Sequence, residues 1–340
     1  MSARTPRLTA ALDATAAGVL APLDHVRARL LRGSGRFGRR LIADRQLRIN
    51  TLALVGVATS LTLTALAPVW LLVFGPLILG VPHLLADVRY LVVRPGLHLQ
   101  PRWWLACGVP LGLLTAGHTP WAGALAVVGG AAAARAPAWV WAGASALLGA
   151  AIWAPEATLW GMIHAHNLVA IGLWAAWRGG DVRRLVPIVA ALAGYGAILT
   201  GALDGPLIEG RAMLWGPASV SFGALFGEIS GGVPHPWDIR LVASFAFLQS
   251  VHYAVWLRWI PEDDRARYTP RPLVATYRAL VDDLGVFGLF AFGALAVVIL
   301  GLAAVSLPMA RSAYFSVASG HGWLELACVA RLLAIGRRPC

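Results

Sequence analysis

The chain has 340 residues, 58% of them hydrophobic and only 13% charged, with a mean hydropathy of +0.69, and this excludes an ordinary soluble domain, in which about a quarter of residues are charged. The formal charge of +12 is carried entirely by Arg, yet the arginines lie at the ends of apolar stretches and within residues 1–48 rather than along a groove, so orientation in a membrane explains them and nucleic acid is not an expected partner. Cys107, Cys328 and Cys340 are odd in number and show no CxxC spacing, so neither a disulfide framework nor a Cys-rich metal site is indicated.

Residues 1–48 hold ten arginines among Ala and Leu, and Asp13, Asp24 and Asp44 interrupt any run that could serve as a signal peptide. We read this segment as a cytoplasmic arm, partly amphipathic helix. Apolar stretches follow near 50–67, 69–93, 103–118, 120–134, 138–154, 156–177, 184–203, 239–260, 285–308 and 310–335. They predict an all-α, polytopic transmembrane helix bundle of about ten spans over 49–336, a single domain with both termini cytoplasmic. That orientation places Arg89, Arg94, Arg102, Arg135, Arg178, Arg183, Arg184, Arg258 to Arg278, Arg331, Arg337 and Arg338 on the inner side of a bacterial-type inner (plasma) membrane.

Between the seventh and eighth stretches, 204–238 reads as an extracytoplasmic connection, and its apolar part from Pro217 to Pro234, which includes Glu228, is expected either to dip back into the membrane or to span it. Within 261–284, Val274, Tyr277, Leu280, Val281 and Leu284 recur at helical spacing and predict an interfacial helix over 271–284. Gly80-Val81-Pro82-His83 is echoed by Gly232-Val233-Pro234-His235, either as a chance match or as the trace of an inverted repeat. The 15 tryptophans, among them Trp70, Trp103, Trp104, Trp139, Trp141 and Trp153, read mostly as interfacial belts.

The functional signal is histidine. Ionisable side chains are costly in hydrocarbon, yet His83, the pair His164 and His166, His252 and His321 all fall inside apolar stretches. At 1.5 Å per residue His164 lies about 12 Å, and His252 and His321 about 15–20 Å, below the starts of their stretches, which places them near the bilayer middle. His83 follows Pro82, which can kink its helix toward a cavity. Polar companions stand three or four residues away, as a metal-bound imidazole's second nitrogen requires: Asp87 for His83, Asn167 for His164, Gln249 for His252 and Glu325 for His321. His166 points about 200° away from His164 around the helix, so His164 is the expected member of the pair. The expected metal site is therefore His83, His164, His252 and His321, supported by Asp87, Asn167, Gln249 and Glu325, either carboxylate being a candidate direct ligand. Tyr90 and Tyr253 are the expected proton donors. Imidazole with carboxylate suits Fe, Zn, Cu or Mn, and the residues alone do not choose among them. Histidine-box, HExxH, P-loop and haem-attachment motifs are absent.

The segment Gly80-Val81-Pro82-His83-Leu84-Leu85-Ala86-Asp87 resembles the G-x-P-H-x-x-x-D element of the Brp/Blh-type β-carotene dioxygenases, polytopic bacterial membrane proteins. The match covers about nine residues with Leu79, and Leu84 stands where the family usually has Gly. The resemblance implies a non-haem iron, Fe(II), held by histidines from several helices, with His83 as a ligand, Asp87 as its orienting partner, and a lipid-soluble polyene or lipid and O₂ as substrates. Two alternatives come from other classes: a haem b electron-transfer protein needing two facing histidines, and a transporter for a metal ion or small anion. A scaffold with structural histidines is a further one.

Overall fold

In the computed structural model, residues 6–117, 119–134, 136–177, 182–220, 222–265 and 267–336 are described, and they are all helical, turn or irregular, with no strand among them. Arg135, Arg178, Arg337, Arg338 and Cys340 lie outside the described residues.

Two helices form the arm, α1 (Pro6–Gly33) and α2 (Gly35–Ala43). Asp44 closes the next helix, α3 (Arg45–Leu66), by accepting from Leu47 N at 3.0 Å, one of the free N–H groups that a helix start exposes. Then come α4 (Pro68–Val93), α5 (101–117), α6 (Pro120–Ala132), α7 (Ala138–Trp153), α8 (Pro155–Ala176) and α9 (Val182–Leu199). The chain continues through α10 (Phe222–Ser230), α11 (237–263), α12 (Leu273–Val305), α13 (Leu307–Ala318) and α14 (His321–Ile335).

Among the described residues four helices, α3, α4, α9 and α12, are long and apolar enough to cross a membrane, and α6 and α7 are shorter apolar helices. Only 6% of the apolar window of α12 is buried inside the protein. Its Phe287, Phe290, Val297 and Val305 stand exposed, an apolar face that belongs in lipid rather than water.

Three local departures from the expected elements have physical causes. The expected helix over 310–335 is broken at Ser319-Gly320, so His321 begins a helix instead of sitting within one. The interfacial segment is continuous with α12 except at Gly285, whose φ of 71° only glycine adopts without strain. In 204–238 the longest helix, α10, has nine residues, about 14 Å of rise against a hydrocarbon core of about 30 Å, so it does not span. The Gly-Val-Pro-His echo is not structural: His83 is fully buried within α4, whereas His235 lies in an exposed turn beside Asp238.

Small residues set the tightest packing. A Cβ at Gly123 would fall on the Trp323 ring, and one at Gly130 on the Ala327 carbonyl, so α6 and α14 approach to backbone distance as membrane helices do through Gly and Ala. Trp174, Trp177, Trp256, Trp259 and Trp323 are fully buried and fill the core, a role the belt reading does not cover; Trp103 is also buried, while Trp104, Trp139 and Trp153 are exposed. At one end of the bundle the acidic run of α11 is matched by arginines from other helices: Glu262 with Arg48 at 2.6 Å, Asp263 with Arg184 at 2.6 Å, and Asp264 with Arg94. Buried charge is tolerable only when paired in this way, and the pairs tie α3, α4, α9 and α11 together.

Candidate metal centre

α4 is not a uniform α-helix. It widens to π-type turns at Pro76–Gly80 and Val88–Val93 on either side of His83. Pro76 opens the first of these turns and Pro82 follows it, each removing a backbone donor from the helix there. In α11 the turn Val255–Trp259 directly after His252 is of the same type. His321 opens α14 and His166 projects from α8. The approach of these two helices depends on Gly322, where an added Cβ would lie 3.0 Å from the His166 Cβ.

Four imidazoles form a closed ring. Centroid separations are 4.8 Å for His83–His252, 5.2 Å for His252–His166, 5.0 Å for His166–His321 and 4.8 Å for His321–His83. Backbone carbonyls orient three of them: His83 Nδ1 lies 3.3 Å from Gly80 O, His166 Nδ1 2.8 Å from Met162 O, and His321 Nδ1 2.5 Å from Ala318 O. A carbonyl only accepts, so each Nδ1 carries the hydrogen and each neutral ring presents the Nε2 lone pair to its surroundings.

His83 Nε2 and His252 Nε2 are 2.9 Å apart. Two imidazole nitrogens each about 2.1 Å from one ion, and at right angles to each other, are separated by about 3 Å. Candidate ligand atoms of His83, His252 and His321 all lie within 4.8 Å of one another, as do those of His83, Asp87 and Glu325. Ligand atoms about 2.1 Å from one ion stand between about 3 Å and about 4.2 Å apart, so each triad is gathered closely enough to draw in around a cation.

The carboxylates decide the character of the site. Asp87 Oδ2 is 3.2 Å from His83 Nε2, and Glu325 Oε1 is 3.5 Å from His252 Nε2. Trp256 Nε1 donates to Glu325 Oε1 at 2.7 Å and holds it in place. Both residues are fully buried, and neither Asp87 oxygen nor Glu325 Oε2 has a hydrogen-bond partner. Among the described residues no arginine pairs with either. Two buried carboxylates beside neutral imidazoles have no compensating charge, whereas a divalent ion held between them would balance both. The donors are nitrogen and oxygen only, because the buried thiols of Cys107 and Cys328 are directed to the carbonyls of Ala126 and Leu91.

The sequence-predicted set is therefore partly brought together. His83, His252 and His321 converge. His164 does not: its Nε2 donates to Ile229 O at 2.9 Å, and its ring packs on Trp160 and Phe245. His166 takes its place, because Met162, Ala170 and Trp174, four residues apart along α8, form that helix's buried face and His166 belongs to it. The face about 200° away from His164, on which His166 lies, is the core side.

Asp87 and Glu325 face the Nε2 nitrogens and not the Nδ1 nitrogens, which makes them candidate ligands more than orienting partners. Asn167 is buried but bonds Ile163 O at 3.1 Å and does not support His164. Gln249 lines the adjoining cavity and makes no hydrogen bond with His252 among those described. Tyr253 is in place, its ring 5.1 Å from His83. Tyr90 is not: it lies under the Arg89 and Arg94 guanidiniums and against Trp177, among the charged pairs at the end of the bundle. Tyr314, two turns before His321 in sequence, was missed. It packs where a Cβ on Gly80 would stand and approaches Tyr253.

A cavity of about 230 Å³ opens beside the ring. His166, His252, His321, Tyr253 and Tyr314 line it together with Leu114, Met162, Ile163, Phe245 and Phe315, whereas His83, Asp87 and Glu325 do not. Compared with family models, curated proteins and solved structures, the chain matches none.

Proposed function

We propose that the protein is an integral-membrane metalloenzyme, a non-haem iron oxidoreductase of oxygenase or oxidase type acting on a lipid-soluble substrate. The observation that carries the reading is the convergence of imidazole Nε2 atoms with two fully buried carboxylates that have no counter-charge. His83, His252 and His321 would hold the ion with Asp87 and Glu325, and His166 would complete the ring on the cavity side. A bound Fe(II) would supply the redox chemistry that oxidation of a lipophile by O₂ requires. The chain's own part is binding and exclusion. Apolar cavity walls seat a lipophile and keep water out, and the Tyr253 and Tyr314 hydroxyls hold a proton at the cavity face of the ring.

The resemblance of Gly80 to Asp87 to the Brp/Blh-type element supports iron over zinc or manganese. About ten spans, cytoplasmic termini and a bacterial-type inner membrane are part of the same proposal, supported by the apolar helices and by the arginines gathered at one end of the bundle. The bis-histidine haem alternative fits poorly. Axial nitrogens stand about 4 Å apart across a haem iron with the porphyrin between them, whereas His83 and His252 nearly touch at 2.9 Å.

Elemental analysis with an absorption spectrum of the purified protein tests the reading. We expect one iron per chain without a Soret band, and loss of iron in His83→Ala and His252→Ala with the helical content retained. Stoichiometric metal in both variants, or none in the wild type after iron loading, would overturn it.

A further inference from the structure

The far end of the cavity carries a feature that metal binding does not use. Arg311 on α13 and Glu228 on α10 both line it, and Arg311 Nη1 donates to Glu228 Oε2 at 2.8 Å. The two partners are unequal. The Arg311 side chain is 15% exposed and lies over the Phe315 ring at 4.7 Å, whereas the Glu228 side chain is 50% exposed. The buried Arg311 Nε–H has no acceptor. The edge of the guanidinium fork that matches a carboxylate is therefore not satisfied by Glu228, at a cavity whose walls are mostly apolar. A pair with a solvent-screened carboxylate is weak and exchangeable. Tyr314, Phe315 and Ala318 follow Arg311 on the same face of α13, a run of about 10 Å from the guanidinium toward the histidine ring.

We infer that the cavity takes a single-chain lipophile ending in a carboxylate, which Arg311 binds in place of Glu228 while the chain lies along α13 toward the imidazoles. This inference rests on the proposed metalloenzyme only for what happens at the ring end; anchoring by Arg311 is a separate property of the same cavity. It assigns Arg311 as a specificity-determining residue and Glu228 as the group that the ligand displaces.

The test uses the full chain in lipid nanodiscs and a twelve-carbon fatty acid with a photoreactive diazirine at its methyl end, together with the corresponding alcohol probe. Photolabelled peptides are mapped and metal content is measured on the same samples. In the wild type the acid should label the cavity-lining segments of α8, α11 and α13 at least tenfold more than the alcohol. Arg311→Gln should remove that preference, Arg311→Lys should keep part of it, and Glu228→Gln, which leaves Arg311 intact and removes its competitor, should raise labelling by the acid. Equal labelling by acid and alcohol in the wild type, or a fall in Glu228→Gln, overturns the inference. Arg311-dependent labelling in protein that holds no metal would sink the metalloenzyme reading alone, and metal-loaded protein without acid preference would sink this inference alone.

Discussion

Asp87 and Glu325 sit where hydrocarbon-depth electrostatics is least forgiving. A carboxylate removed from water costs several kcal/mol unless it is paired, and these two share a cage with imidazoles that are neutral when they present lone pairs. With an ion present the cage is balanced; without it, one proton or more must stand in. Neutralising substitutions therefore separate the two roles. Asp87→Asn and Glu325→Gln should each lower metal occupancy at least tenfold, the scale set by loss of a supporting group around a metal. In the metal-free protein the same substitutions should raise the thermal midpoint above that of metal-free wild type, because an amide is neutral without the proton that a buried carboxyl must take up. Glu325→Gln should be the milder, since its amide oxygen still accepts from Trp256. If both variants keep full metal and lose stability, the carboxylates are structural. Much of this residue set was legible beforehand, because an i+4 carboxylate beside a buried histidine is a local pattern. The choice between His164 and His166 was not, since it depends on which face of α8 meets α14, a fact of packing carried by Gly322 and the Met162, Ala170 and Trp174 stripe.

At the scale of elements, the His166–His321 side of the ring is set by helices that touch through residues with little or no side chain. α14 lies against α6 at Gly123 and Gly130 and against α8 at Gly322. Gly322→Val should push His166 away from His321, destabilise the bundle by about 1–3 kcal/mol as overpacking does, and reduce metal occupancy together with the thermal midpoint. Gly143→Ala on α7, where an added methyl meets nothing within 4 Å, is the matched control and should leave both unchanged. Unaltered metal content in Gly322→Val would show that His166 is dispensable to the site. Helical stretches were readable from hydropathy because apolar composition decides them. Their breaks were harder: Ser319-Gly320 interrupts a stretch that reads as one helix, Gly285 joins two stretches into one kinked helix, and the π-type turns around His83 are hinted at only by Pro76 and Pro82.

For the molecule as a whole, the arm is fastened to the bundle rather than trailing from it. Asp24 accepts from Leu273 N at 2.8 Å and Val274 N at 3.4 Å, so the arm caps the start of the lipid-facing α12 from outside. Arg27 donates to Arg271 O at 2.6 Å, and Asp13 meets Arg278 at 2.8 Å. The Arg278 hydrogen bond holds the Asp13 carboxyl below its usual value of 3.8. A carboxyl lowered on docking contributes fully above 3.8 and loses that contribution as the pH falls through its lowered value, when protonation removes the charge that Arg278 binds. The pair is exposed and salt-screened, so its share is the smaller one, while loss of the Asp24 cap is of the order of 0.5–2 kcal/mol. Hydrogen exchange over residues 10–33, corrected for intrinsic rates, should show constant protection from pH 7 to pH 4 and a decline below 3.8. At pH 7, Asp13→Ala should lower this protection slightly and high salt should reproduce the effect in the wild type, whereas Asp24→Ala should lower it more and extend the loss to the first turn of α12. Protection that is indifferent to both substitutions would mean that the arm is held by its apolar face alone, with Val19, Leu23, Val26 and Leu30 seated in lipid and the ionic fastening incidental.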